Sequence, residues 1–355
     1  MAGETGSIAE MASLVAKDVF KWFKWEYVSL LDQNFDCIKK EKHAPQKTSK
    51  HTHPVDIVFT YIDPYLNRRI MFNTDLKSYA RSSIDSVKIR SALKSLAHTI
   101  DCARSSEEWR GRYEYEGQSS DVRALLFTYN HDGTYDGDFY QLFERKKSTI
   151  DGKKEKTITT ETLPLESDTY IHIIEPQLIS YMTTLQTDVR RLISEGSFPR
   201  VNYQFYYPEL KLHKTSGDKF ARPATIEMIS GPFLIVEHDT VFVTDENSGE
   251  RNQSFSAGYV IFYNKPGATA EEFMYFFDIL SNYQILDRNM IIRIRVLHQK
   301  PHRDIRSNFI RAIERYIAEW GFDEYKKNQL EALDLHLVEF QRTVFSSVEI
   351  GWERK

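Results

Sequence analysis

The stretch His53–Ala80 constrains this chain more than any other part of its sequence. It reads HPVDIVFTYIDPYLNRRIMFNTDLKSYA: two runs of β-branched and aromatic residues separated by Asp63-Pro64-Tyr65-Leu66-Asn67. Val55–Ile62 predicts one strand, the Asp-Pro segment a turn, and Arg69–Asn73 a second strand running back along the first. Asp56 opens the first strand, and Asp75-Leu76-Lys77 closes the second. Side chains alternate across a strand, so Asp75 and Lys77 share a face, about 7 Å apart along the backbone, while Leu76 points the other way. The hairpin can bring Asp56 to the same end, gathering two carboxylates and an ammonium in one small volume.

Two like charges at close range disfavour each other's ionisation unless a cation sits between them. Oxygen ligands of this kind suit Mg²⁺ or Mn²⁺, which keep part of their water shell and use one or two carboxylates plus substrate phosphate. A lysine beside such a site can hold a water or offset charge growing on a phosphate. The plainer alternative is that Asp-x-Lys marks a solvated strand face.

The elements around the hairpin are legible in outline. Ser7-Ile8-Ala9-Glu10 has the form of a capping box and predicts a helix from Ile8 to Asp32. Val15, Val19, Trp22, Glu26 and Leu30 follow three-to-four spacing, which sets Glu26 in or at the margin of an apolar stripe. Asn34–Lys42 predicts a strand with Phe35 and Cys37 inward. Lys39, Lys40, Lys42, Lys47 and Lys50 then crowd a loop holding one acid, Glu41; this loop either meets phosphates or is simply exposed. His51 and His53 read as a polar rim, His53 being a candidate phosphate contact. A helix from Ser82 or Ser83 to Arg104, a strand at Val122–Tyr129, a long polar excursion over 130–168, a strand at Asp168–Ile174 and a helix opened by Pro176 complete this half.

This α-β-β-β-α-β order, with an acid on the first helix, an acid opening the second strand and Asp-x-Lys closing the third, resembles the restriction-endonuclease-like PD-(D/E)XK nuclease superfamily. The resemblance spans Ser7–Gly196. It implies that Asp56, Asp75 and the Leu76 carbonyl bind Mg²⁺ or Mn²⁺, with Glu26 reaching the ion directly or through water. It implies that Lys77 orients the attacking water. The reaction implied is hydrolysis of DNA phosphodiester bonds, leaving 5′-phosphate and 3′-hydroxyl ends, in the manner of restriction or anti-phage defence nucleases. The sequence departs from the pattern in two places. One residue separates Pro54 from Asp56, and no glutamine stands between Ser82 and Arg104, where Lys88 and Arg90 are candidate DNA contacts instead.

At 355 residues the chain is long enough for two domains, with a boundary expected at 198/199. The second, 199–355, reads as an α+β accessory domain with a mostly antiparallel sheet, serving recognition, dimerisation or docking of a second protein subunit. In Ile292-Arg293-Ile294-Arg295 the arginines share a face, either a DNA backbone track or the solvated face of an edge strand. The aromatics Tyr203, Phe205, Tyr206, Tyr207, Phe273, Tyr275, Phe276 and Phe277 read as core and subunit interface rather than base-stacking platforms. Glu237-His238-Asp239 reads as a polar turn.

A net charge of −4 excludes a uniformly basic nucleic-acid coat. The two cysteines, Cys37 and Cys102, lie far apart in the chain and indicate neither a zinc motif nor a disulfide framework. With no long apolar run and no basic leader, a soluble cytoplasmic protein is expected, with no membrane partner. A homo-oligomer is expected. The competing reading is a non-catalytic nuclease-fold subunit that binds DNA or a partner protein, and RNA stays open as a substrate.

Overall fold

A computed structural model describes residues 2–43, 52–114, 120–144, 157–208, 210, 218–244, 249–286, 290–319, 321 and 324–340, with side chains from Ala12 onward except that of Lys326. The capping-box side chains, Lys47, Lys50 and His51 lie outside the described set. The described residues divide into two compact units, one up to Ile179 and one from Ser180. The division falls within the helix opened by Pro176, ahead of the expected boundary at 198.

The first unit runs α1 (Ala2–Trp22), β1 (Glu26–Val28), β2 (Gln33–Asp36), α2 (Lys40–His43), β3 (Thr52–Val55), β4 (Ile57–Asp63), β5 (Arg68–Tyr79), α3 (Ser86–Ala103), α4 (Glu107–Tyr113), β6 (Ser120–Asn130) and β7 (Ile171–Ile174). Helix α5 (Pro176–Ser194) follows. The main sheet has the order β1-β4-β5-β6-β7; β1, β4 and β5 are antiparallel neighbours, whereas β5, β6 and β7 run parallel. It is a mixed α/β sheet with the predicted hairpin at its centre.

Helix α1 ends ten residues earlier than Asp32, and the cause is local. Lys24 adopts φ +63, its amide bonds Lys21 O at 3.1 Å, and the Trp25 amide bonds Phe20 O at 3.2 Å. This is a Schellman closure with lysine in the left-handed position that glycine usually takes. Its apolar clasp is Trp25 stacked on Phe20, centroids 4.5 Å apart, and Trp25 also stacks on Phe72 at 5.0 Å. The chain then enters β1 as an edge strand. The helix also begins before Ser7, so the expected cap does not mark its start.

The second unit contains β8 (Tyr203–Phe205), α6 (Ile226–Ile229), β9 (Phe233–His238), β10 (Val241–Thr244), β11 (Arg251–Phe255), β12 (Gly258–Tyr263), α7 (Ala270–Asn282), β13 (Ile291–Val296), α8 (Ile305–Glu319), α9 (Glu324–Glu331) and β14 (Asp334–Leu337). Its five-stranded sheet has the order β14-β13-β12-β9-β8. Contrary to expectation it is not mostly antiparallel: β12, β13 and β14 are parallel. Crossovers through α7 and then α8–α9 make that possible, because parallel neighbours need a long return connection. The 224–229 segment holds a short helix capped by Thr225, and α9 stops at Glu331 to leave β14 as an edge strand. Of the aromatics expected in the core, Phe205, Tyr206, Tyr207, Phe273, Phe276 and Phe277 are buried, whereas Tyr275 is exposed.

Candidate active site

Strand β5 outlasts its neighbour. Its ladder with β4 stops at Ile57–Thr74, while its ladder with β6 continues to Tyr79–Asn130. The reason is a bend at Asp56, where the chain leaves the small β2–β3 ribbon and enters the main sheet. Residues 75–79 therefore lack a strand partner on the β4 side. The Leu76 amide, which a longer β4 would have engaged, donates instead to Asp56 Oδ2 at 2.7 Å. That bond seats the Asp56 carboxylate beside Asp75.

The three predicted residues thus meet. Lys77 Nζ donates to Asp75 Oδ1, and Asp56 and Asp75 are within hydrogen-bonding reach of each other. Burial and then the Asp75 charge push Asp56 up to about 6, against the opposing pull of the Leu76 amide and Lys77. Burial tends to lower the Lys77 ammonium, but Asp75 and Asp56 outweigh it and the net shift is upward. The Lys77 side chain keeps 33% of its surface exposed, enough to reach a ligand from solvent.

Glu26 does not join them. It lies on β1 opposite Thr60, four residues along β4 from Asp56, or about 13 Å. Its side chain is 71% exposed and its nearest cation is Arg69 at 3.8 Å. The Schellman closure at Lys24 takes the chain out of helix before Glu26, so the apolar stripe that held it does not exist there.

Lys88 and Arg90 are exposed on α3. Lys88 stands at the site's border, donating to Ser83 Oγ at 2.7 Å with its ammonium 5.9 Å from the Tyr79 ring centroid. Arg90 donates to Thr162 Oγ1 at 3.0 Å. Of the lysine-rich loop, Lys39 and Lys42 are paired with Asp101 and Glu166. His53 is not a rim residue; it is fully buried.

Arg293 and Arg295 are neither a DNA track nor a solvated face. Strand β13 is internal to its sheet, and both arginines are buried. Arg295 makes a two-pronged bond to Asp188 at 2.8 and 2.6 Å. Arg293 donates to Ser197 O at 2.8 Å and lies over the Phe255 ring at 4.3 Å. It also stands 3.0 Å from Nε2 of His238, which is buried on β9 rather than in a turn. Alternation placed the arginines on one face correctly; what covers that face was not readable from β13 itself.

Two titratable residues fall outside the sequence expectations, Tyr79 beside the site and Glu175 just after β7. Tyr79 follows Lys77 at the same alternation, and burial pushes its phenol up. Glu175 follows β7 and caps α5, accepting from the Gln177 and Leu178 amides at 2.7 Å each, while burial pushes it up to about 7. Period-two counting from Lys77 would have found the first; an acid immediately before Pro176 was the available signal for the second.

The family described as GAPS4 protein PD-(D/E)XK nuclease domain matches residues 1–177. The N-terminal half of this chain belongs to the PD-(D/E)XK nuclease superfamily. The match takes in the whole of the nuclease domain's main sheet, from β1 to β7, together with Asp56, Asp75 and Lys77. No curated protein and no solved structure matches the chain. Among the described residues, no helix is long and apolar enough to cross a membrane.

Proposed function

We propose that this chain is a metal-dependent endonuclease that hydrolyses DNA phosphodiester bonds as an effector of anti-phage defence or restriction. The observation that carries the reading is the meeting of Asp56, Asp75 and Lys77 where β5 runs past β4. The GAPS4 nuclease match supports the nuclease class and the defence setting.

The site's donors fit a hard divalent cation such as Mg²⁺ or Mn²⁺. Two carboxylates held within reach of each other repel unless a proton or a cation intervenes, and burial first, then that repulsion, pushes Asp56 upward. Asp56, Asp75 and the Leu76 carbonyl would hold the ion, which when bound supplies Lewis-acid stabilisation and a more acidic water. Lys77 then has its ammonium available to orient the attacking water and to offset charge on the phosphate oxygens. Phosphoryl transfer asks the protein for placement and electrostatics more than for covalent help. Lys88 at the border contributes backbone contacts. The second unit serves recognition, oligomerisation or docking of a second subunit.

The test is cleavage of supercoiled plasmid by purified protein with Mg²⁺ or Mn²⁺, with single-stranded RNA as a parallel substrate. Nicking or linearisation by wild type, and its loss in folded Asp75→Ala and Lys77→Ala, supports the reading. Failure of the wild type to cut with either ion, even when the product of a neighbouring gene is added, favours the non-catalytic DNA- or protein-binding subunit. Cleavage of RNA alone would move the substrate class.

A further inference from the structure

Away from the carboxylates, four buried side chains from four separate segments converge inside the nuclease domain. Cys37 follows β2, His43 closes α2, His53 lies on β3 and Cys102 sits in the last turn of α3. One ligand-type atom from each lies within 4.8 Å of all the others. The sequence concealed this, because the spacing of the two cysteines follows no short metal motif and their meeting depends on α3 packing against the β2–β3 ribbon.

The distances have the form of a tetrahedron about a missing centre. With metal–sulfur bonds of about 2.3 Å and metal–nitrogen bonds of about 2.0–2.1 Å, tetrahedral angles require edges near 3.8 Å for S–S, near 3.5 Å for S–N and near 3.3 Å for N–N. The structure has Cys37 Sγ to Cys102 Sγ at 3.8 Å. His43 Nδ1 lies 3.5 Å from Cys37 Sγ and 3.4 Å from Cys102 Sγ. His43 Nδ1 and His53 Nε2 are 3.4 Å apart.

The outer hydrogen bonds fix which nitrogen faces inward. His43 Nε2 lies 2.9 Å from Asp101 Oδ2, so it carries the proton and leaves Nδ1 as a bare lone pair. Thr99 Oγ1 donates to Ser95 O at 3.0 Å and is therefore an acceptor for the Nδ1 proton of His53, 3.4 Å away; His53 Nε2 is then bare as well. Two imidazole nitrogens and two sulfurs directed at one buried point are a donor set that a tetrahedral divalent cation would satisfy once the thiols give up their protons. A histidine ligand backed by a carboxylate, and another backed by a hydroxyl, is also the outer arrangement that metal-bound imidazoles adopt. Asp101 is in turn held by Lys39 at 2.6 Å and Lys42 at 3.0 Å. Two thiolates and two neutral imidazoles around a divalent ion sum to zero charge, which a buried site tolerates.

We propose that Cys37, His43, His53 and Cys102 form a structural zinc site in the nuclease domain. All four positions are filled by protein and all four residues are buried, the pattern of a closed structural site and not a catalytic one. It fastens the β2–α2–β3 segment to α3 three residues ahead of Asp56, so it acts as the anchor from which the bend at Asp56 departs. At 3.8 Å the two sulfurs are not bonded to each other, and both cysteines are free.

The experiment is metal analysis of the full chain, purified without chelator or nickel resin after expression with added zinc. Wild type is expected to carry about one zinc per chain, and Asp75→Ala is expected to carry the same amount, which separates this site from the carboxylate pair. Cys37→Ser and Cys102→Ser are expected to lose the zinc and to melt at lower temperature. Should those variants fail to fold, cobalt exchange into wild type decides the matter: tetrahedral S₂N₂ cobalt gives intense visible d–d bands and a thiolate charge-transfer band. Folded wild type that holds under about a tenth of an equivalent of zinc and shows no such bands after cobalt loading overturns the proposal. So does zinc that Asp75→Ala loses and Cys37→Ser keeps.

Discussion

The Leu76 amide donates to the Asp56 carboxylate at 2.7 Å across the point where β5 outruns β4. A bond that would have been one more rung of the ladder is used to hold an acid against Asp75. Asp56→Asn keeps an acceptor for that amide and removes one of the two repelling charges. In the metal-free protein the folded value of Asp56 is about 6, against an ordinary 3.8. A raised folded value means that its contribution is fully present below pH 3.8 and is lost as pH rises through 6. Asp56→Asn is therefore expected to stabilise the metal-free protein at pH 7.5 by roughly 1–3 kcal/mol, with little difference near pH 4. Added Mg²⁺ should raise the wild-type denaturation midpoint and leave the variant's unchanged. Denaturant melts at the two pH values check this; a variant less stable than wild type at pH 7.5 contradicts a repelling pair.

Lys77 bonds Asp75 and keeps a third of its side chain exposed. Lys77→Ala is expected to lower cleavage by about 10²–10³-fold, the scale of losing one charge-stabilising donor. Lys77→Arg should not restore it, because a planar, more weakly hydrated fork does not replace a compact ammonium placed against Asp75. Rates are to be normalised to the folded fraction, since either variant changes the partner of Asp75.

Glu26 stands on an exposed edge strand beside Arg69, away from Asp56. Glu26→Gln is expected to leave stability within about 0.5 kcal/mol and cleavage within about twofold of wild type. A loss beyond tenfold would return it to the active site.

Arg295 and Asp188 are a buried two-pronged pair inside the second unit. Removing one partner, as in Asp188→Ala, is expected to cost about 3–5 kcal/mol, whereas replacing both with apolar residues of similar volume should be close to neutral. The salt dependence of DNA binding should not change in the double variant. A shallower salt slope would mean that the arginine meets phosphate.

What the sequence disclosed and what it hid follow a physical division. The hairpin, the shared face of Asp75 and Lys77, and helix α3 rest on local rules of alternation, turn chemistry and apolar spacing, and the structure has them. The misplacement of Glu26 came from a helix stop with no glycine to announce it, written instead in the pairing of Phe20 with Trp25. The burial of Arg293 and Arg295 depends on Asp188 and Ser197, about a hundred positions away in the chain. The Cys37–Cys102 meeting likewise joins segments whose proximity only α3 packing creates. Strand order and covering partners are long-range properties, and no window along the chain contains them.

The bend at Asp56 was not legible. The expected strand starts at Val55 and takes in Asp56, whereas the structure ends β3 at Val55 and opens β4 at Ile57. Its consequence, a β5 end unpaired on one side, needed the ladder itself.

The central claim is that Asp56 and Asp75 hold one divalent ion between them. Anomalous diffraction from crystals soaked in Mn²⁺ tests it most directly. The account predicts a single strong peak about 2.1–2.2 Å from an oxygen of each carboxylate, present in wild type and missing in Asp75→Ala. A manganese ion bound elsewhere with these two carboxylates untouched, or no ion at all at saturating Mn²⁺, would contradict it.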